Sequence, residues 1–396
     1  MAIADVLASI EALPDRFSGP RNSSDGRYRV RVANIERDVV VSGRRCRIEE
    51  PAGDADVEIS TDPLTWHEMQ AGDLSGIEAF AARRLAIRGS IEKSLHFEPC
   101  FDRPEGDGMR YSIDRVEVRG GRVSALFAGD PSAPPLLLIH GLGATKASWL
   151  TVVPQLARNF RVIAMDVPGF GASDKPRGRY DARWFADRVT RFIDAIGYDS
   201  VHVAGNSMGG RIAMELGMDH PDRVASIACL CPAAAFSHRP ALALVRALRP
   251  ELGIVASRLP RSRILPQMRG LFADPRCVEQ EWYEAAVDDF LHVWRSPRAR
   301  MAFFAALRNI YLDEPQGDRG LWTRLAGLSV PSLFIYGRHD ALISHRFAKK
   351  VQSTIPAAQV VVWSDCGHVP QIEFPDRTAR TLDEFFSRHL SKRASA

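Results

Sequence analysis

From Pro135 onward, short apolar runs alternate with longer amphipathic stretches. The runs PLLLIH ending at His140, RVIAMD at Asp166, SVHVAG at Gly205, VASIACL at Leu230, PSLFIYG at Gly337 and QVVVW at Trp363 are each bounded by Gly, Pro or Asp. That pattern predicts strands buried on both faces of a parallel sheet. Between them, RWFADRVTRFIDAIG places Phe185, Val189, Phe192, Ile193 and Ile196 on one helical face. Strand–helix alternation predicts an α/β, doubly wound domain. Just upstream, RVEVRGGRVSALFAG alternates around Gly120-Gly121 and predicts an antiparallel hairpin that opens the sheet.

The first hundred residues lack this rhythm, and no internal repeat links them to the rest. Ile3, Val6, Leu7, Ile10 and Leu13 fall at helical spacing, and RYRVRV, DVVVSGRRCRIEE and ADVEIST alternate like half-exposed strands. Asp62-Pro63 is a helix start, an N-cap followed by proline. The stretch that follows carries Trp66, Met69, Ile77, Phe80 and Leu85 as apolar anchors. A small α+β module over residues 1–104 is the simplest reading. Pro104, Gly106 and Gly108 break any period, so residues 105–114 are expected to be a linker and 115–391 the second domain.

Composition narrows the function classes. The chain has 396 residues, 45% hydrophobic and 25% charged, which is ordinary for a globular protein and excludes a wholly disordered one. A net charge of +4 is too mild for a nucleic-acid partner. No apolar run is long enough to span a bilayer. The N-terminus carries Asp5 and Glu11 where a secretory signal would be basic, so a cytoplasmic location is expected. The six cysteines show no CxxC pair and no Cys/His metal spacing, so neither disulfides nor a metal is expected, and no cofactor is called for. Oligomeric state stays open.

The candidate chemistry starts at VAGNSMGG, where Ser207 stands between glycines directly after an apolar strand. A serine there can project its hydroxyl into a cleft only if its neighbours lack bulk. Asp340 lies just past PSLFIYG and His368 in the loop past QVVVW, so all three sit beyond strand ends, where open α/β sheets gather catalytic groups. Serine is a weak nucleophile and needs an imidazole to take its proton, a role for His368. A carboxylate must fix the imidazole's tautomer, a role for Asp340. Asp365, three residues before His368, is the rival acid.

HGLGATKASW, DVPGFGASD, GNSMGG, GRHD and CGHVPQIEFPD together make the chain from about Arg115 to Leu390 resemble the α/β-hydrolase superfamily. The resemblance implies an α/β-hydrolase fold with a mostly parallel sheet. It implies an oxyanion site made by the amides of Leu142 and Met208, with His140 serving the loop. Residues from about Arg27 to Phe101, with ADVEISTDPLTWHEMQAGDLS and RRLAIRGS, resemble the sterol carrier protein type 2 family. This second resemblance implies a lipid held in a hydrophobic tunnel near Trp66, Met69 and Phe80. The alternative is a helix-capped sheet that binds nothing.

Ser207 and Asp340 are further apart than the strand path requires, so a helical cap is expected over about 234–325. Leu242, Leu244, Val245 and Leu248 belong to it, as do Tyr283 and Phe304; Trp282, Phe290, Trp294 and Phe303 are the candidate substrate-binding residues. The cap also carries Arg239, Arg246, Arg249, Arg258, Arg261, Arg263 and Arg269. These are either a basic surface resting on anionic lipid, giving peripheral membrane contact, or a solvated helical face.

The expected function is a serine hydrolase cleaving a lipophilic carboxylic ester, a small molecule such as a monoacylglycerol-like lipid. One alternative is a C–C bond hydrolase of the ring-cleavage type, whose family usually has tryptophan after the catalytic histidine, where Val369 stands here. Another is a non-catalytic lipid-binding or transfer protein. Without its first hundred residues the hydrolase part is expected to fold on its own core and still cleave short esters.

Overall fold

The computed structural model describes residues 3–19, 24–233, 245, 249–255 and 259–390. In its first part, alternation decides the sheet. Strands β1 (Gly26–Val32), β2 (Ile35–Ser42), β3 (Arg45–Glu49), β4 (Val57–Thr61) and β5 (Leu85–Gly89) form a five-stranded sheet in the order β3-β2-β1-β4-β5. β1 and β4 are parallel and the other pairs antiparallel. Along β1, Tyr28, Val30 and Val32 point into the core, while Arg27, Arg29 and Arg31 pair across the opposite face with Asp38, Glu49, Glu36 and Glu58.

Helices Pro63–Ala71, Gly76–Ala81 and Ile91–Phe97 place Trp66, Ile77, Leu95 and Phe97 in the same apolar cluster as the inward residues of β1. The first of them starts as expected, with Asp62 accepting from the amides of Leu64 and Thr65. Leu85, expected only as an apolar anchor after the helix start, opens strand β5. Arg83, at φ +58, turns the chain out of the helix before Leu85.

The second sheet has eight strands: β6 (Tyr111–Val118), β7 (Gly121–Ala128), β8 (Pro135–Ile139), β9 (Arg161–Met165), β10 (Val201–Asn206), β11 (Val224–Leu230), β12 (Ser332–Gly337) and β13 (Gln359–Trp363). Their order is β13-β12-β11-β10-β8-β9-β7-β6. From β8 to β13 every pair is parallel, and the β6–β7 hairpin joins antiparallel at β9. All six apolar runs are therefore strands. QVVVW departs from the expectation of burial on both faces: β13 is an edge strand, and Val361 and Val362 are each 37% exposed.

Residues 105–114 are not a free linker. Tyr111 to Asp114 already belong to β6, and the preceding turn is tied down, with Gly108 N donating to Gly72 O and Met109 N to Glu78. Arg103 adds hydrogen bonds to the carbonyls of Gly72 and Met109. The two sheets also share a core. One contiguous apolar cluster runs from Tyr28, Trp66 and Phe97 through Leu150 and Val153 to Leu136 and Phe386. The hydrolase part also keeps a core of its own: a second apolar cluster, from Val123 and Leu137 through Phe192 and Ile212 to Tyr336, holds no residue of the first hundred.

The cap contains a short turn, Pro250–Ile254, and helices Arg261–Arg269, Gln280–Trp294, Pro297–Tyr311 and Leu321–Leu325. Leu242, Leu244, Leu248, Arg239, Arg246 and Arg258 lie outside the described residues. Of the other cap arginines, Arg261 pairs with Asp288, and Arg269 donates to Gln280 and lies over the Tyr283 ring. Both partners and the ring sit on one cap helix, Gln280–Trp294. No helix among the described residues is long and apolar enough to cross a membrane.

Candidate active site

The turn at Ser207 answers why its neighbours are glycines. Ser207 has φ 55 and ψ −113, a conformation that costs about 1–3 kcal/mol for a side-chain-bearing residue, between the end of β10 and the helix Met208–Asp219. A Cβ on Gly205 would lie 2.2 Å from the Gly209 backbone, and one on Gly209 would lie 2.0 Å from Ile139 O. Only hydrogen fits at either place. Ser207 N donates to Leu230 O at 2.9 Å, so the strained residue is anchored to β11.

His368 is delivered to this turn by three contacts. Asn206 Nδ2 donates to His368 O at 3.0 Å, His368 N donates to Leu271 O of the cap at 2.6 Å, and Glu373 accepts from Gly367 N at 2.7 Å. Its ring Nδ1 donates to Asp340 Oδ2 at 2.7 Å, and both side chains are almost wholly buried. That bond leaves Nε2 as the proton acceptor. Asp340 Oδ1 accepts from the amides of Leu342 and Ile343. Asp365 is exposed and pairs with Arg377, so it does not take the orienting place. Ser207 is partly exposed, and its hydroxyl makes no hydrogen bond among the described residues. Such contacts are often loose before substrate binds and tighten afterwards.

Cys231 was missed by the sequence reading. It leaves β11 at φ 44, and its thiol lies with Asp340 and His368 in a group whose ligand atoms are within 4.8 Å of one another. Burial, then the Asp340 carboxylate, pushes the thiol well above its ordinary pKa. The thiol therefore holds its proton more tightly than an ordinary cysteine. Asn206 and Glu373 were also missed. Both lie inside the quoted motifs, but their roles come from contacts the motifs do not reveal.

The candidate oxyanion loop follows β8. His140 Nδ1 donates to Gly141 O at 2.7 Å while Nε2 accepts from Val167 N at 3.1 Å, and burial lowers its pKa, so the ring is a neutral brace. Neither the Leu142 nor the Met208 amide donates a hydrogen bond among the described residues. At the far end of the loop, Lys146 is wholly buried between Asp166 and Glu92. Burial opposes its charge, but the two carboxylates outweigh that and raise its pKa.

The four candidate substrate residues divide. Phe290 stacks on Trp294 at 5.4 Å, and Trp294 meets Phe303 edge-on at 5.4 Å. A Cβ on Gly143 would lie 3.0 Å from Phe303 and 3.3 Å from Phe290, so this aromatic group rests on the oxyanion loop. Trp282 stands apart from these three, packing with Phe272 and Tyr283 in a cluster that also holds Val369, next to His368. A wide groove of about 920 Å³ between residues 175–181 and the helix Pro297–Tyr311 is lined by none of the four and by none of Ser207, Asp340 and His368.

In the N-terminal part, Trp66, Met69 and Phe80 do line one cavity, together with Leu150 and Tyr111. Its volume is about 40 Å³, room for a water molecule and far too small for a lipid. The expected tunnel is closed in this structure.

Residues 134–375 match the alpha/beta hydrolase fold family. The chain belongs to that family. It is therefore a hydrolase by family, and residues 18–102 match the SCP-2 sterol transfer family. The dihydrolipoyllysine-residue acetyltransferase component of the acetoin cleaving system of Pseudomonas putida is 32% identical over 279 residues, 69% of each chain. The 2-hydroxymuconate semialdehyde hydrolase of Pseudomonas sp. (strain CF600) is 30% identical over 262 residues, 64% of this chain and 87% of its own. Among solved structures, a membrane phospholipase A, a bacterial virulence factor, is 29% identical. It superposes with a TM-score of 0.60 over 70% of this chain and 86% of that one.

Proposed function

We propose that this α/β hydrolase cleaves a lipophilic carboxylic ester through an acyl-enzyme intermediate. Ser207 attacks the carbonyl carbon, His368 Nε2 takes the hydroxyl proton and returns it to the leaving alcohol, and Asp340 holds the imidazole in the right tautomer. Water then repeats the cycle on the acyl group. The amides of Leu142 and Met208 receive the negative charge that develops on the carbonyl oxygen. Phe290, Trp294 and Phe303 form the apolar wall for the acyl chain. The observation that carries this reading is the 2.7 Å bond from His368 Nδ1 to Asp340, in a loop that Asn206 ties directly to the strained Ser207 turn.

A second reading, C–C bond hydrolysis, is favoured by the 30% identity to the semialdehyde hydrolase. Against it, Val369 follows the histidine and packs with Phe272 and Tyr283 in an apolar cluster, offering no polar group to an enol or carboxylate. Turnover of p-nitrophenyl esters from acetate to laurate, beside a 2-hydroxy-6-oxo-dienoate, separates the two. The ester reading predicts turnover that improves from acetate to medium chains and no dienoate cleavage; faster dienoate cleavage overturns it.

A further inference from the structure

The buried ammonium of Lys146 closes the oxyanion loop, and one of its two carboxylates comes from outside the hydrolase fold. Lys146 N donates to Asp166 Oδ1 at 2.7 Å, and its Nζ donates to Asp166 Oδ2 at 2.8 Å and to Ser124 Oγ at 3.1 Å. Asp166 Oδ2 also takes the amide of Ala172, so that one carboxylate ties the loop after β8 to the loop after β9. A Cβ on Gly171 would lie 2.2 Å from this carboxylate, which shows how closely the second loop wraps it. With both Asp166 oxygens engaged by backbone, the third donor site of the ammonium points to Glu92, on the helix Ile91–Phe97 of the N-terminal part. His96 holds the other Glu92 oxygen at 3.3 Å. Beside this cluster, Thr145 Oγ1 donates to Asp289 of the cap, and Arg88 and Gly89 at the end of β5 reach Glu284 and Asp288 on the same cap helix.

We propose that Glu92 is a positioning residue for the hydrolytic reaction, acting through Lys146 to set the oxyanion loop on which Leu142 lies. The inference rests on the proposed oxyanion role of that loop. A buried ammonium takes the position its carboxylates dictate, because leaving a partner's place is costly in a low-dielectric interior. Lys146 follows Leu142 by four residues, with His140 bracing the other end against Val167, so a shift at Lys146 moves the amide that faces the carbonyl oxygen. Displacements of about 1 Å in such donors can lower turnover about 100-fold. The N-terminal part is then a component of the catalytic machinery as well as a candidate lipid carrier.

The test uses the full chain with Glu92→Gln, which is isosteric and leaves Lys146 and Asp166 as a neutral pair. Expected on p-nitrophenyl butyrate is a kcat lowered about 10- to 100-fold with KM within twofold. The inhibition constant of a trifluoromethyl ketone, whose adduct needs the oxyanion site, should rise by the same factor. In the double variant Glu92→Gln/Lys146→Met, kcat should be no lower than for Lys146→Met alone, because the two act as one unit. A folded Glu92→Gln chain with kcat within twofold of the parent overturns the proposal, as does a fall in kcat that leaves ketone inhibition unchanged. Should Glu92→Gln fail to fold, Glu92→Asp, which keeps the charge but shortens its reach, is read by the same two measurements. Ser207→Ala run alongside separates the failures: full activity there overturns the serine reading, whereas loss there with an unaffected Glu92→Gln overturns only the positioning role.

Discussion

Asp340 divides its carboxylate between two tasks, one oxygen on the amides of Leu342 and Ile343 and the other on His368. Among the described residues, exposed Asp365 pairs with Arg377. Asp340→Asn is therefore expected to lower kcat about 10,000-fold through the wrong imidazole tautomer, and Asp365→Asn to leave it within twofold. Measured on a p-nitrophenyl ester with both variants folded, the opposite ranking would move the acid role to Asp365. Ser207, Asp340 and His368 were legible because each sits just beyond an apolar strand, where sequence order and fold agree. Cys231, Glu373 and Glu92 were not. Their partners lie on other elements, and no local pattern marks a thiol or carboxylate for a contact made only after folding.

The cap helix Gln280–Trp294 carries the clearest pH signature. Burial first, then the neighbouring Asp166 and Glu92 carboxylates, pushes Asp289 up to about 7, against the opposing pull of the Thr145 hydroxyl and Lys146. A carboxyl that holds its proton to higher pH in the folded chain stabilises it fully below its ordinary value near ~4, and that contribution is lost as pH rises to about 7. Asp289→Asn, neutral throughout, removes this slope. Its Tm relative to the parent is expected to climb from pH 4 to 7 and level off above, and a constant difference across pH 4–8 would contradict the assignment. The elements themselves were legible where period and length agreed, as in β8 to β12. β5 was lost because five residues after a helix offer too short a window for alternation. The edge position of β13 was hidden because an apolar run does not say how many neighbours it will have.

Across the whole molecule, the two families in one chain are joined by packing, since Leu150 and Tyr111 close the small cavity over Trp66 and Phe80. A core that crosses from Tyr28 to Leu136 means that deleting the first hundred residues would expose the apolar surface around Leu150 and Tyr111 and leave Lys146 with a single carboxylate. Composition and motifs reported two modules; they could not report that the modules share an interior, because shared burial is a property of surfaces that sequence patterns describe one element at a time. The lipid-carrier resemblance likewise told of a fold and left open whether the cavity is wide or closed. The proposed reaction turns on one atom, the hydroxyl oxygen of Ser207. Incubating the full chain with a fluorophosphonate and mapping the adduct by mass spectrometry tests it most directly. Expected are one phosphonyl group per chain on the peptide carrying Ser207, complete loss of esterase activity in step with labelling, and no adduct in Ser207→Ala; ester turnover that persists in Ser207→Ala, or labelling at another residue, would show that Ser207 is not the nucleophile.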